Sequence, residues 1–198
     1  MANPSASAAK AQIRSLLKEQ LEGMTKGEKA SSSQEICNRL AHWINARGDC
    51  RRISIYSALA TEVDLSFLPA ALHASFQFSY PLVAGARLQF FRVSDPSELK
   101  SGSYGILEPD PAIHEPVSLS DIDLCICPGL AFSPDGTRLR RGKGYYDAML
   151  SGLRPDTPRI GAGFALQIRD SLPREEHDIP MSHLVTEREV MPIRAAAN

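Results

Sequence analysis

The chain is predicted to adopt an α/β fold. It is expected to be one domain over residues 1–198, with a mainly parallel (mixed) sheet flanked by helices in a Rossmann-like three-layer arrangement. Three observations carry this prediction. Strand-like and helix-like periodicities alternate after the first fifty residues, the pattern that builds parallel sheets with helical crossovers. The length suits one core burying ~70% of the unfolded chain's surface. A strongly apolar strand runs into Pro128-Gly129 and then, past a turn, into a cationic glycine loop that opens a helix. In open α/β sheets that is where ligands collect, beyond the carboxyl ends of the strands.

The elements follow in order. Ser5 to Met24 is a predicted helix, with Ile13, Leu16, Leu17, Leu21 and Met24 at helical spacing and Ser5 or Ser7 as N-cap. Thr25 opens a second helix, with Glu28 three residues on in a capping-box pattern. Ile36, Leu40, Trp43 and Ile44 form its apolar stripe; it runs to about Arg47 and stops at Gly48. Arg52 to Leu59 is the first strand, Leu65 to His73 a short helix interrupted by Pro69, and Phe76–Tyr80 and Arg87–Val93 the next strands. Leu119 to Cys127 is an apolar strand, Gly144 to Leu153 a helix, Arg159 to Leu166 a strand, and His183 to Thr186 the last strand. Ala195 to Asn198 reads as an unstructured tail.

Composition excludes some functions. The net charge of −1 supplies no global field toward nucleic acid or anionic lipid, so neither is expected as a partner. No apolar run reaches the ~20 residues that span a bilayer, and the amino terminus lacks a signal-peptide core, so a cytoplasmic location is expected. Cys37, Cys50, Cys125 and Cys127 lack C-x-x-C metal-ligand spacing. Cys125 and Cys127 alternate within the apolar run and are expected on one face of a buried strand.

Against that even balance the stretch Arg138-Leu139-Arg140-Arg141-Gly142-Lys143-Gly144-Tyr145-Tyr146-Asp147 stands out. Glycines permit close approach and positive φ. Arg and Lys neutralise phosphate, Arg by a planar fork and Lys as a point charge. A carboxylate at the loop's edge suits Mg²⁺, which takes one or two carboxylates together with phosphate oxygens and water. The stretch therefore reads as a polyphosphate cradle with its own metal ligand, Asp147. It is not a Walker A loop, since G-x-x-x-x-G-K-[ST] is absent. Arg138, Arg141 and Lys143 would carry the phosphates, and Tyr145 and Tyr146 would stack on a planar ligand or donate hydrogen bonds. Elsewhere spacing says less. Lys10 and Arg14 share a helix face and by spacing alone describe a solvated surface. Glu62, past the first strand, and Asp178, a second possible metal ligand, read alone as surface charges, and His177 has no catalytic role.

Taken together, these residues resemble a family. Pro128-Gly129-Leu130-Ala131-Phe132, then Gly136-Thr137-Arg138-Leu139, then Arg141-Gly142-Lys143-Gly144-Tyr145-Tyr146-Asp147 is similar to the signature of 5-formyltetrahydrofolate cyclo-ligases, also called methenyltetrahydrofolate synthetases. The likeness extends over nearly the whole chain, through Lys10 and Arg14, Ser57 and Glu62, Tyr104-Gly105-Ile106-Leu107-Glu108-Pro109, and His177-Asp178-Ile179-Pro180 with Leu184-Val185-Thr186. The resemblance implies an ATP-dependent ligase. It would convert 5-formyltetrahydrofolate to 5,10-methenyltetrahydrofolate, with ADP and phosphate released, as a monomer acting on small molecules. ATP would meet Lys10, Arg14 and Arg138, Leu139, Arg140, Arg141, Gly142, Lys143, Gly144, Tyr145 and Tyr146. The folate would meet Ser57, Glu62, Tyr104 and Arg141 to Tyr145. Asp147 and Asp178 would hold Mg²⁺, and Lys143, Arg138 and Tyr145 would be catalytic. The family pattern has glycine after Leu139; this chain has Arg140. The rival expectations are a non-catalytic nucleotide- or folate-binding module and a sugar-phosphate or acyl-CoA enzyme on a related scaffold.

Overall fold

A computed structural model describes residues 4–102, 105–141, 144–175 and 178–193, with side chains from residue 8 onward. Helix α1 spans Pro4–Gly23 and α2 spans Lys26–Asn45. The capping box is present: the Thr25 hydroxyl accepts from the Glu28 N–H, and the Glu28 carboxylate accepts from the Thr25 N–H. The other proposed cap is corrected. Helix α1 begins at Pro4, so Ser5 and Ser7 lie inside it; proline at a helix start leaves no donor to satisfy there.

The strands are β1 (Arg52–Ser54), β2 (Gln77–Ala84), β3 (Arg87–Arg92), β4 (Lys100–Ser101), β5 (Leu107–Glu108), β6 (Glu115–Val117), β7 (Leu124–Pro128), β8 (Ala131–Phe132), β9 (Arg138–Leu139), β10 (Arg159–Ala162), β11 (His183–Val185) and β12 (Val190–Pro192). Helices α3 (Leu68–Ala71) and α4 (Tyr145–Leu150) are short. The main sheet has the order β12-β11-β10-β7-β1-β2-β3-β6. Its centre, β11-β10-β7-β1-β2, is parallel, while β12 on one side and β3 and β6 on the other pair antiparallel. The mainly parallel, mixed α/β prediction therefore holds. The hairpins β4–β5 and β8–β9 form separate two-stranded sheets.

Strand β7 explains the layering. Leu124 and Ile126 join the core beneath α1, α2 and α3, whereas Cys125 and Cys127 join the core beneath α4. All four are buried, as expected for a central parallel strand covered on both faces. The two thiols face the same way, with sulfurs 3.6 Å apart. The ring of Phe132 lies against glycine backbones from two exits of the sheet. A Cβ on Gly129 or on Gly161 would lie 2.5 Å from that ring, and one on Gly163 would lie 2.9 Å from it.

Several predicted boundaries shift for physical reasons. The Ile55 N–H makes a last bond to the Ser79 carbonyl, and from Tyr56 the chain leaves the sheet and lines a cleft. Leu119–Asp121 is a 3₁₀ turn ahead of β7, and β10 ends at Ala162 before another such turn, Ala165–Gln167. No helix among the described residues is long and apolar enough to cross a membrane.

Candidate active site

The sheet reverses direction between β1 and β7: from β1 the chain adds β2 on one side, then returns to place β7 on the other. This switch point is where open α/β sheets hold ligands. The segment following β1 supplies Tyr56, Ser57 and Glu62. The exit of β7 supplies Pro128 and Gly129, fixed from below by the Gln167 amide, which donates to the carbonyls of Gly129 and Leu130. The hairpin β8–β9 then delivers Arg138 through Arg141 to the same edge.

Two cavities meet here, and Glu62 lines both. The larger, about 550 Å³, is walled by Tyr56, Ser57, Leu59, Tyr80 and Leu99, with Lys26 and Lys29 on its rim. The hydroxyls of Tyr56 and Ser57 are buried there without a hydrogen-bond partner. An unpaired buried hydroxyl is costly, so each is available to pair with a polar group entering the cleft. Burial first, and then the nearby Glu62 charge, push the Tyr56 phenol well above its ordinary value, which keeps it a donor. The smaller cavity, about 120 Å³, is lined by Gly129, Arg138, Arg140, Arg141, Gly144 and Tyr145 among others.

Charge organises the smaller cavity. Arg138, buried, donates to Asp147 Oδ1 at 2.8 Å and to the Pro128 carbonyl at 3.3 Å, with its guanidinium 5.7 Å from the Tyr146 ring centre. Arg140 reaches Asp147 Oδ2 at 3.0 Å, Asp178 Oδ1 at 3.0 Å and Glu175 Oε2 at 3.2 Å. Arg141 donates to Glu62 Oε1 at 2.8 Å and to the Thr61 hydroxyl at 2.9 Å. Helix α1 joins from the far end of the chain. Lys10 Nζ lies 3.2 Å from Glu175 and 3.6 Å from Asp178, and Arg14 Nε donates to the Arg140 carbonyl at 3.1 Å. Before any phosphate arrives, the carboxylates hold these cations in place.

The structure thus brings together Lys10, Arg14, Glu62, Arg138, Arg140, Arg141, Asp147 and Asp178. Lys10, Glu62 and Asp178, which spacing alone leaves on the surface, are buried. The Leu139 side chain belongs to the core, so only its main chain faces a ligand. Tyr146 packs mainly against the two cores and Arg138. Gly144 takes φ +69°, the left-handed conformation expected of this loop. Helix α4 has six residues, shorter than the predicted Gly144–Leu153, so its dipole adds little to the field of the arginine side chains. Tyr104, Gly142, Lys143 and His177 lie outside the described residues. Glu175 and Tyr56 were missed by sequence reasoning. Glu175 lies in a polar run with no motif, and Tyr56 in a strand pattern that reads as core.

Mg²⁺ would require oxygen ligands near the phosphates. Among the described residues no three or more His, Cys, Asp or Glu side chains converge into a metal-ligand set. Asp147 Oδ2 and Asp178 Oδ1 are nonetheless buried with no hydrogen-bond donor aligned on them, and the Arg140 nitrogens lie near both. Two such oxygens fit an ion that takes one or two carboxylates and fills its remaining positions with phosphate and water.

Fold and site define an open α/β protein with an arginine-lined cavity at the switch point, beside a larger cleft that shares Glu62 with it. Comparison with known proteins gives that class a family. Residues 6–187 match the 5-formyltetrahydrofolate cyclo-ligase family, and the chain belongs to it. A 5-formyltetrahydrofolate cyclo-ligase from Mus musculus is 28% identical over 94% of this chain and 98% of its own length. A probable 5-formyltetrahydrofolate cyclo-ligase from Caenorhabditis elegans is 26% identical over 92% and 94%. The NMR structure of Aquifex aeolicus 5,10-methenyltetrahydrofolate synthetase superposes with a TM-score of 0.82 at 29% identity, covering 96% of this chain and 95% of that one.

Proposed function

We propose that this protein joins ATP hydrolysis to ring closure on 5-formyltetrahydrofolate, giving 5,10-methenyltetrahydrofolate, ADP and phosphate. The observation that carries the proposal is the clustering of Arg138, Arg140 and Arg141 on one cavity, with Lys10 and Arg14 of α1 paired to Glu175, Asp178 and the Arg140 carbonyl, and Glu62 shared with the adjoining cleft. Such a layout supports the reading that a polyphosphate bound in the smaller cavity would face a second substrate in the larger one, as a phosphoryl transfer between them needs.

The formyl oxygen of the substrate is a poor leaving group. Transfer of the γ-phosphoryl from ATP to that oxygen turns it into phosphate, a good one. N10 then attacks the formyl carbon, the C–O bond breaks, phosphate departs, and N10 loses its proton as the five-membered ring closes. The protein's part is alignment and charge cancellation. Arg138 and Lys143 neutralise the transferring phosphoryl oxygens, and Arg14 and Lys10 secure the remaining phosphates. Glu62 accepts hydrogen bonds from the N–H edge of the pterin, with Tyr56 and Ser57 donating to its polar atoms. Asp147 and Asp178 would hold Mg²⁺, which when bound offsets charge on the phosphates. No step needs a thiol. Burial pushes the Cys37 and Cys50 thiols up to about 12 and about 11, which leaves both protonated.

The test is an absorbance assay for the methenyl product from protein, Mg²⁺ and 5-formyltetrahydrofolate, with and without ATP. ATP-dependent growth of the signal is expected. Folate binding with no signal under any nucleotide would identify a non-catalytic module instead.

A further inference from the structure

Arg140 occupies a place that the proposed reaction does not explain. Its guanidinium reaches three carboxylates at once: Asp147 and Asp178, each at 3.0 Å, and Glu175 at 3.2 Å. Both aspartates are more than nine-tenths buried. Asp147 Oδ2 and Asp178 Oδ1 have no aligned hydrogen-bond donor, so the contact there is charge at close range rather than a directed fork. A well-made arginine–carboxylate pair is bidentate and coplanar. Here one planar cation spans two acids that it cannot serve with good geometry at the same time. Buried carboxylates left without a cation would be strongly unfavourable. Arg138 serves Asp147 Oδ1 at 2.8 Å and Lys10 lies 3.6 Å from Asp178 Oδ2, so Arg140 is the cation that the two acids share, and the one set against the oxygen of each that lacks an aligned donor.

We infer that Arg140 is a tethered counter-ion that competes with a divalent cation for Asp147 and Asp178, and that it must swing off the pair for the ion to bind. The inference rests on the assignment of those two aspartates as metal ligands made above, and not on which reaction the protein catalyses. Two features make the swing feasible. The Arg140 side chain is about one-fifth exposed, so it has solvent to turn into. The Lys10 ammonium stays near Glu175 and Asp178 and limits the charge left uncompensated during the exchange. Metal affinity is then set by an internal rival: the apparent dissociation constant is the intrinsic one divided by the fraction of molecules with the pair vacated.

The test is a Mn²⁺ titration of nucleotide-free protein, followed by loss of the free-ion paramagnetic resonance signal. If the pair is vacated in roughly one molecule in ten, Arg140→Gln binds Mn²⁺ about tenfold more tightly than the parent. Arg141→Gln, which removes an equal charge paired with Glu62 instead, should leave the affinity within about twofold, separating competition from a general field. Adding Asp147→Asn to Arg140→Gln should abolish the gain. Arg140→Lys keeps the charge and serves as the second variant if Arg140→Gln does not fold; it should bind more tightly than the parent, because a point charge spans two acids less well. In chelator, Arg140→Gln should melt below the parent and recover more on adding Mn²⁺. Equal affinity in parent, Arg140→Gln and Arg140→Lys, weaker binding in the variants, an equal gain in Arg141→Gln, or no Mn²⁺ bound by any of them would each overturn the inference. The absorbance assay on the parent judges the reaction separately, so a failure of either is distinguishable from a failure of the other.

Discussion

Tyr56 gives the sharpest residue-level separation between folding and binding. Its hydroxyl is buried with no partner and lines the larger cavity. A group that serves the fold loses stability when removed, whereas a group kept for a ligand does not. Tyr56→Phe should leave the melting temperature of the ligand-free protein unchanged or raised. It should also raise the KM for the folate about fivefold to tenfold, since a hydrogen bond is worth ~1 kcal/mol. Paired thermal melts and initial rates decide this; a drop in melting temperature with unchanged KM would mark the hydroxyl as structural. Lys143 sits in the stretch that the sequence alone marks as a phosphate cradle. Lys143→Ala should cut turnover by ~10²–10³-fold, by analogy with losing an oxyanion donor, with the circular dichroism and melting temperature of the parent retained. Parent-like kcat in that variant would remove the lysine from the mechanism.

At the scale of elements, two features behind the site determine how well it is held. The first is the bed of glycines under Phe132. Gly161 on β10 faces that ring so closely that an added Cβ would stand 2.5 Å away, with Leu184 at 2.9 Å on the other side. The Leu184 methyl can turn aside but the fully buried Phe132 ring has little room to, so Gly161→Ala should overpack the joint between β7 and β10 and cost ~1–3 kcal/mol. Urea denaturation measures this, and an unchanged midpoint would show that the ring can move aside. The second is Asp123, at the opposite end of β7 from the active site. Its carboxylate accepts from the main-chain N–H groups of Arg51 and Arg52, from the Arg52 guanidinium and from Arg154. Burial alone would raise its pKa, but the Arg52 side chain and those main-chain donors outweigh it and hold the carboxyl below its ordinary value. A group whose folded value is depressed stabilises the fold fully above its unfolded value, about 3.9 for aspartate, and that stabilisation is lost as pH falls through the folded value. Parent protein should therefore lose stability below about pH 4 more steeply than Asp123→Asn, which should be weaker at neutral pH and flatter in acid. Parallel curves of melting temperature against pH would exclude Asp123 as the cause.

Across the whole molecule, the sequence disclosed what depends on local pattern and concealed what depends on assembly. Alternation in the run Leu124 to Cys127 gave a buried strand with both thiols on one face because a two-residue period survives any tertiary context. The Thr25–Glu28 box could be read because both partners are three residues apart. The two-residue strands of β4–β5 and β8–β9 left no pattern to read, being defined only by their partners. The run from Tyr56 to Leu59 looks like strand and instead lines a cleft, since the sheet ends where the cleft begins. At the site, the glycine loop announced itself by density of charge. Lys10 and Glu62 did not: their burial comes from carboxylates and cations more than seventy residues away, a distance spacing cannot bridge.

The packing of β7 supplies an internal clock. Cys125 and Cys127 lie at the middle of the sheet, and Cys37 and Cys50 are also buried, so a thiol-reactive dye finds no target on the native surface. Labelling of the two central sulfurs can proceed only through molecules whose sheet has come apart. In the limit of fast reclosing, the labelling rate divided by the dye concentration and by the rate constant for a free thiol gives the opening equilibrium constant, and hence the opening free energy. Nucleotide and folate should slow that modification by the factor 1 + [L]/Kd, without any change in the chemistry of the sulfur. Rapid labelling of Cys125 or Cys127 in fully ligated protein, followed by mass spectrometry of the peptides, would show that the centre of the sheet breathes independently of the site above it.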